Sequence, residues 1–269
     1  MAISSSTRLL GAITPVSVDA IGYPIQVARG NITGVEHISK FGKNLDVDTG
    51  TTPEDMWTGA ANPYVPPVAA RIHLITGDGN DTSAGTGART VKIYGLDSNW
   101  DKISETVTMN GATGVITTSS FLRIYRAHVV TAGSLETNSG LISAINLTDA
   151  SVSAQIEAGD GQTFMAIMPI PANKRGYLYS YYITIGRSSP TAVRANAGVH
   201  IKEGADASDA AWRKRHQISL ALDGTSHIQH SWEFPIYVPE KSEIKLSIEE
   251  VSASNSTFTG GFALLLVDD

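Results

Sequence analysis

From Ala69 onward, apolar residues fall on every second position through one short run after another. In Arg89-Thr90-Val91-Lys92-Ile93-Tyr94 and in Ser242-Glu243-Ile244-Lys245-Leu246-Ser247-Ile248 the period is two, which puts the apolar set on one face of a half-buried strand. The same reading predicts strands near 69–76, 88–96, 102–109, 114–122, 123–132, 139–147 and 151–157. A second, longer and more aromatic series follows near 162–170, 177–186, 192–203, 211–222, 227–238, 243–251 and 257–267. Turn formers separate the runs, as in Gly77-Asp78-Gly79-Asn80, Asp97-Ser98-Asn99 and Asn110-Gly111-Ala112. The fold class expected is all-β, with no helix of consequence between strands.

Residues 1–68 break this pattern. They hold six of the 11 prolines, with glycines scattered among them, and each proline fixes φ and removes a backbone donor. The expectation is an extended N-terminal arm. Its one helical signal is Thr52-Pro53-Glu54-Asp55-Met56-Trp57, where a cap, a first-turn proline and two acids predict a single turn ending at Gly59. An arm without its own core must lay Phe41, Trp57 and Tyr64 against its own body or a neighbouring subunit. These three are the expected assembly contacts.

Two β-sandwich domains follow the arm: a small antiparallel one over 69–158 and a jelly-roll-like one over 159–269. The closing Gly260-Gly261-Phe262-Ala263-Leu264-Leu265-Leu266-Val267 run is too apolar for an exposed edge. It predicts a central strand or a subunit interface, with Phe262, Leu264 and Leu266 as the candidate oligomer contacts.

Composition narrows the function more than the fold. The 269 residues are 42% hydrophobic and 17% charged, which is globular, with Ser, Thr, Asn and Gly supplying the polar strand faces. A net charge of −6 argues against a partner bound through phosphate backbones, so no nucleic acid is expected. Without cysteine there is no disulfide framework, thiolate metal site or cysteine nucleophile. The Leu9-Leu10-Gly11-Ala12-Ile13 run is too short for a signal-peptide core or a membrane span, so no membrane partner is expected. Four Asn-x-Thr triplets, at Asn31, Asn80, Asn146 and Asn255, match the glycosylation pattern but lack a secretion signal beside them.

Candidate chemistry is sparse. Asp78, Asn80 and Asp81 put oxygen donors on a glycine-rich loop, as a calcium site needs, but without the later carboxylate of a helix–loop–helix site; a solvated hairpin turn is the favoured reading. No cofactor is called for. His227 and His230 lie on opposite faces of a strand and cannot act as a helical ligand pair. Trp212, Arg213 and Arg215 could contact a glycan or an anion, or simply form a charged edge that resists strand addition. Tyr177, Tyr179 and Tyr181, at alternate positions beside Tyr182, are an aromatic face that would serve a sugar platform, a core or a trimer axis. Hydrolase elbows, phosphate loops and metalloprotease helices are missing, so the expectation is a protein that is not an enzyme.

Val35-Glu36-His37-Ile38-Ser39-Lys40-Phe41-Gly42-Lys43-Asn44, then Asp46-Val47-Asp48-Thr49 and Pro53-Glu54-Asp55-Met56-Trp57, resemble the start of a group of uncharacterised tailed-bacteriophage virion proteins. The likeness continues in Asn80-Asp81-Thr82, Gly85-Thr86-Gly87-Ala88-Arg89-Thr90-Val91, Tyr94-Gly95-Leu96-Asp97, Phe121-Leu122-Arg123-Ile124-Tyr125-Arg126 and Gly159-Asp160-Gly161-Gln162-Thr163, and ends near residue 180. The resemblance implies a virion structural protein, in the first place a capsid decoration or cement protein. Its partners would be the major capsid protein or other virion proteins, and copies of itself, with a trimer favoured. A tail, neck, baseplate or fibre protein that binds a host surface glycan is the alternative, with the loop around Ser188-Ser189-Pro190 as a further candidate contact.

Overall fold

The structure is a computed structural model that describes residues 22–50, 52–59, 62–187, 193–222 and 226–269. A six-residue helix α1 (Tyr23–Ala28) precedes β1 (Val35–Val47) and the two-residue β2 (Glu54–Asp55). Then come β3 (His73–Thr76), β4 (Ala88–Leu96), β5 (Lys102–Thr108), β6 (Val115–Ile116), β7 (Arg123–Ala132), β8 (Ile142–Asn146) and β9 (Val152–Ile156). The chain closes with β10 (Ile167–Pro169), β11 (Lys174–Arg187), β12 (Val193–Lys202), β13 (Arg213–Leu222), β14 (Ser226–Val238), β15 (Glu243–Val251) and β16 (Ser256–Asp268). The fold is all-β, and its pairings are antiparallel throughout the described ladders.

Sheets β6-β3-β8-β9 and β5-β4-β7 share one core, in which Ile75, Ile142 and Ile156 from the first meet Val91, Ile93 and Ile124 from the second. The larger pair consists of β1-β16-β11-β14 and β10-β15-β12-β13, with β2 added beside β15. Its core interleaves Leu178, Ile183, Phe262 and Leu264 with Ala197, Val199, Ile244 and Leu246. Burying such a set on two facing sheets is the main favourable term that orders these strands.

The arm expected over residues 1–68 is corrected by these pairings where it is described. Residues 35–47 form a 13-residue strand laddered along β16, from Val35↔Val267 to Val47↔Ser256. Instead of a helical turn, Glu54 and Asp55 pair with Ile248 and Ser247 of β15. From β1 the described chain thus runs in the larger sheet pair, leaves it to build the smaller one between β3 and β9, and returns at β10. The physical reason lies in β16. Its alternate residues Phe262, Leu264 and Leu266 are at most 2% exposed, and a strand this apolar needs a neighbour on both edges. β1 supplies one and β11 the other.

β1 escaped the periodicity because its inward positions are polar or small. Lys40, Gly42 and Asn44 point in, while Phe41 and Leu45 do not. Lys40 donates its Nζ to the Tyr125 carbonyl, and Asn44 donates to Glu54 Oε2 at 2.9 Å. A β-carbon at Gly42 would sit 2.1 Å from the Met56 carbonyl, so only glycine allows this approach.

The two sheet pairs are tied by ions. β15 is buried on both faces, against the half-buried strand its alternation predicts: Glu243, Lys245 and Ser247 are all covered. Arg123 of β7 pairs with Glu243, and its Nη1 donates to the Pro67 carbonyl at 2.6 Å. Lys245 reaches Asp55 at 2.8 Å, and Asp55 also accepts from Ser247 and from the Tyr64 amide. Leu96, Trp100 and Leu122 pack against Ala205 to complete the joint.

Candidate interaction surface

The outer face of the sheet β1-β16-β11-β14 carries more aromatic surface than a solvated sheet face usually does. An irregularity between Leu178 and Ser180 in the β11 register sets the pattern. Tyr181 turns into the core at 1% exposure, while Tyr179 (41%) and Tyr182 (38%) face outward. The expected grouping of Tyr181 with Tyr177 and Tyr179 on one face is therefore corrected. Across the ladder Tyr237 (49%) lies opposite Tyr177, ring centroids 5.9 Å apart. Tyr182 lies over Gly261, where a β-carbon would come within about 3.0 Å of its ring.

β14 then departs from its partner. Four residues, Trp232 to Pro235, are accommodated between the pairs Ser180↔Ser231 and Leu178↔Ile236, and Phe234 projects from this bend at 80% exposure. Toward the opposite edge of the same face, α1 lies against β1. Tyr23, Ile25 and Val27 with Tyr179, Ala263 and Leu265 line an open apolar groove of about 490 Å³. Alternation alone could have flagged Tyr237 and Leu265 as outward-facing. Nothing local in the sequence signals the bend at Phe234 or the register irregularity.

Two of the three arm aromatics are internal, and Phe41 is half-buried. Trp57 and Tyr64 are buried and meet edge to face at 5.5 Å, beside Met165 and Ile167. Phe41 packs on Phe164 with centroids 5.2 Å apart, and Lys43 spans Phe164 and Asp160. Phe262, Leu264 and Leu266 are likewise core residues, so the face of β16 open to a partner belongs to Ala263 and Leu265. For each of these sets the sequence left a packed interior and a subunit interface open, and the structure takes the interior for Trp57, Tyr64, Phe262, Leu264 and Leu266. They sit inside because β1 and β2 complete the larger sheet pair.

Asp78, Asn80 and Asp81 form a hydrogen-bonded knot. Asp81 is 0% exposed and accepts from the amides of Asp78, Ala88, Ser139 and Gly140 at 3.1, 2.7, 2.8 and 3.2 Å. The Asn80 amide bonds to Asp78 Oδ1 and holds that carboxyl below its usual range. Both Asp81 oxygens and Asp78 Oδ1 are thus committed to backbone amides, which accounts for the carboxylates of this turn as backbone caps; no cluster of three metal-ligating side chains occurs among the described residues.

Trp212, Arg213 and Arg215 do not converge. Trp212 lies over the Lys245 ammonium at 4.6 Å, and both arginines reach Glu203. The Ser188-Ser189-Pro190 loop lies outside the described residues. His227 is exposed against Tyr182, whereas His230 turns inward to Tyr181, His216 and Trp232. No helix among the described residues is long and apolar enough to cross a membrane.

No family model and no curated protein matches the chain. Among solved structures it is similar to T=1 particles derived from infectious bursal virus, at 9% identity and a TM-score of 0.23, over 87% of this chain and 70% of that one. A VP2 subviral particle of infectious bursal disease virus gives 10% identity and 0.21, over 86% and 72%. A Cry1Da tryptic core variant from Bacillus thuringiensis gives 9% and 0.19, over 82% of this chain and about half of that one, at 53%. Scores this low leave function to be argued from the strands and side chains themselves.

Proposed function

We propose that this chain is a virion structural protein of a tailed bacteriophage, and that it acts as a decoration protein on the capsid lattice. The observation that carries the reading is the outward aromatic face of Tyr177, Tyr179, Tyr182 and Tyr237, extended by Phe234 on one side and by Ile25 and Leu265 on the other. Such a face suits a protein contact made by burial. Its mechanism would be mechanical: contact area across capsomer joints resists outward pressure, and repetition over the lattice strengthens weak single contacts.

The strand orders support a jelly-roll reading of the larger pair. Taking β1, β10, β11, β12, β13, β14, β15 and β16 as first to eighth, the sheets run 1-8-3-6 and 2-7-4-5, the winding of an eight-stranded jelly roll with a small sandwich inserted after its first strand. Residues that carry the phage resemblance also serve this joint: Lys40, Asn44, Glu54, Asp55 and Trp57 bind β1 and β2 to the body. Self-association as a trimer is part of the proposal, with the same outer face available to a second copy.

The tail or fibre alternative needs a flat platform for sugar rings. Tyr177 and Tyr237 are tilted by 56°, which favours a protein partner over a stacked glycan. Quantitative mass spectrometry of purified particles tests the assignment. Hundreds of copies per particle are expected of a lattice-wide decoration protein; a few tens or fewer would move the chain to the neck, tail or fibres.

A further inference from the structure

β13 and β14 are the outermost strands of the two sheets in the larger pair, and no backbone ladder joins them among the described residues. What closes that edge is side chains: Tyr181, His216, Ile218, Ile228, His230 and Trp232. At its centre the imidazoles of His216 and His230 are stacked, centroids 4.0 Å apart and planes 19° from parallel. The Tyr181 hydroxyl lies 2.6 Å from His216 Nδ1, and Trp232 stands nearly perpendicular to both rings. Two neutral imidazoles stack well in this setting. Two imidazoliums at the same spacing repel, and at 4.0 Å the solvent around these half-buried rings screens that repulsion only in part.

We propose that the His216–His230 stack is a proton-sensitive latch, which when neutral holds β13 against β14 and when protonated releases that edge together with the Phe234 bend. Among the described residues, no carboxylate is paired with either ring to hold both charges in place. β11 contributes Tyr181, whose hydroxyl is kept protonated by burial. β12 sets Val199 opposite His216. The flanking Lys214 and Arg215 of β13 are exposed and paired with Glu249 and Glu203, and on β14 the flanking His227 and Glu233 are exposed. Burial first, and then His230, hold His216 below its usual value of 6.5. A depressed value means the latch contributes its full stability above pH 6.5, and loses it as pH falls through the lower folded value.

Hydrogen exchange on the full chain at pH 7.5 and 5.0, each rate normalised to its intrinsic chemical rate, tests the latch. The expected result is a loss of protection of about tenfold in 213–222 and 226–238 at pH 5.0, with β12 and β15 unchanged. H230F keeps a ring against His216 without a second charge, and should hold protection at both pH values. Should H230F fail to fold at pH 7.5, H230Q carries the same expectation. Uniform loss across all strands, no loss at pH 5.0, or an unchanged pH response in the folded variant would each overturn the proposal.

Discussion

At the scale of single residues, the decisive side chains are buried polar groups whose partners are far away in sequence. Asp81 satisfies four backbone amides of two separate segments. Replacing it by alanine leaves those amides buried without an acceptor, and Asp81→Ala should lose about 2–4 kcal/mol in urea unfolding, with Asp81→Asn losing less. Gly87 belongs to the same knot, because a β-carbon there would meet Asp81 Oδ1 at 2.2 Å. Lys40 is the second case. Burial, and then Arg126, pull its ammonium from 10.5 down to about 7. With the folded value depressed, the folded state binds fewer protons than the unfolded one between those two pH values. Stability should therefore rise with pH across that window, by at most about 1.4 kcal/mol per unit, and fall as pH drops toward 7. In Lys40→Met that part of the slope should vanish, as denaturant titrations at pH 7, 8 and 9 would show.

Between elements, the joints are ionic where the cores are apolar. Arg123 of β7 and Glu243 of β15 are 4% and 1% exposed, and they couple the two sheet pairs. Arg123→Ala strands a buried carboxylate and should cost about 3–5 kcal/mol, whereas the double replacement Arg123→Met with Glu243→Leu should recover most of it. A double-mutant cycle by thermal unfolding checks both. The β1–β16 ladder carries a separate expectation. A chain beginning near Pro67 lacks β1 and β2, which bares the edge of β16 and the polar face of β15, and it should aggregate on expression where a chain beginning at Gly22 stays soluble. Static light scattering separates the two outcomes. Most strands from β3 to β16 could be read from alternation, and β4, β7 and β15 match the predicted spans residue for residue. β1 could not be, because Lys40 and Asn44 occupy core-facing positions that only Tyr125, Glu54 and Asp55 make tolerable.

For the whole molecule, the outward aromatics set the expectation. Replacing Tyr179, Phe234 and Tyr237 together by serine removes exposed surface without touching the core, so melting should move little while retention on empty capsids falls at least about tenfold. Co-sedimentation of the variant and parent chains with emptied particles measures this. Unaltered retention would remove the outer sheet face from the proposed function.

Local chemistry alone determined that the chain is all-β, where most of its strands lie and which loops turn, because side-chain alternation and turn residues act over a few positions. Three-dimensional pairing decided the rest. That Phe262, Leu264 and Leu266 face a core rather than a partner, that Trp57 and Tyr64 are internal, and that Tyr179 and Tyr182 are surface while Tyr181 is not, all depend on register and on which strand lies alongside. Register is set by contacts between residues far apart in the chain, as with Asp55 and Ser247 or Val35 and Val267, and a period of two reads the same whichever neighbour covers each face.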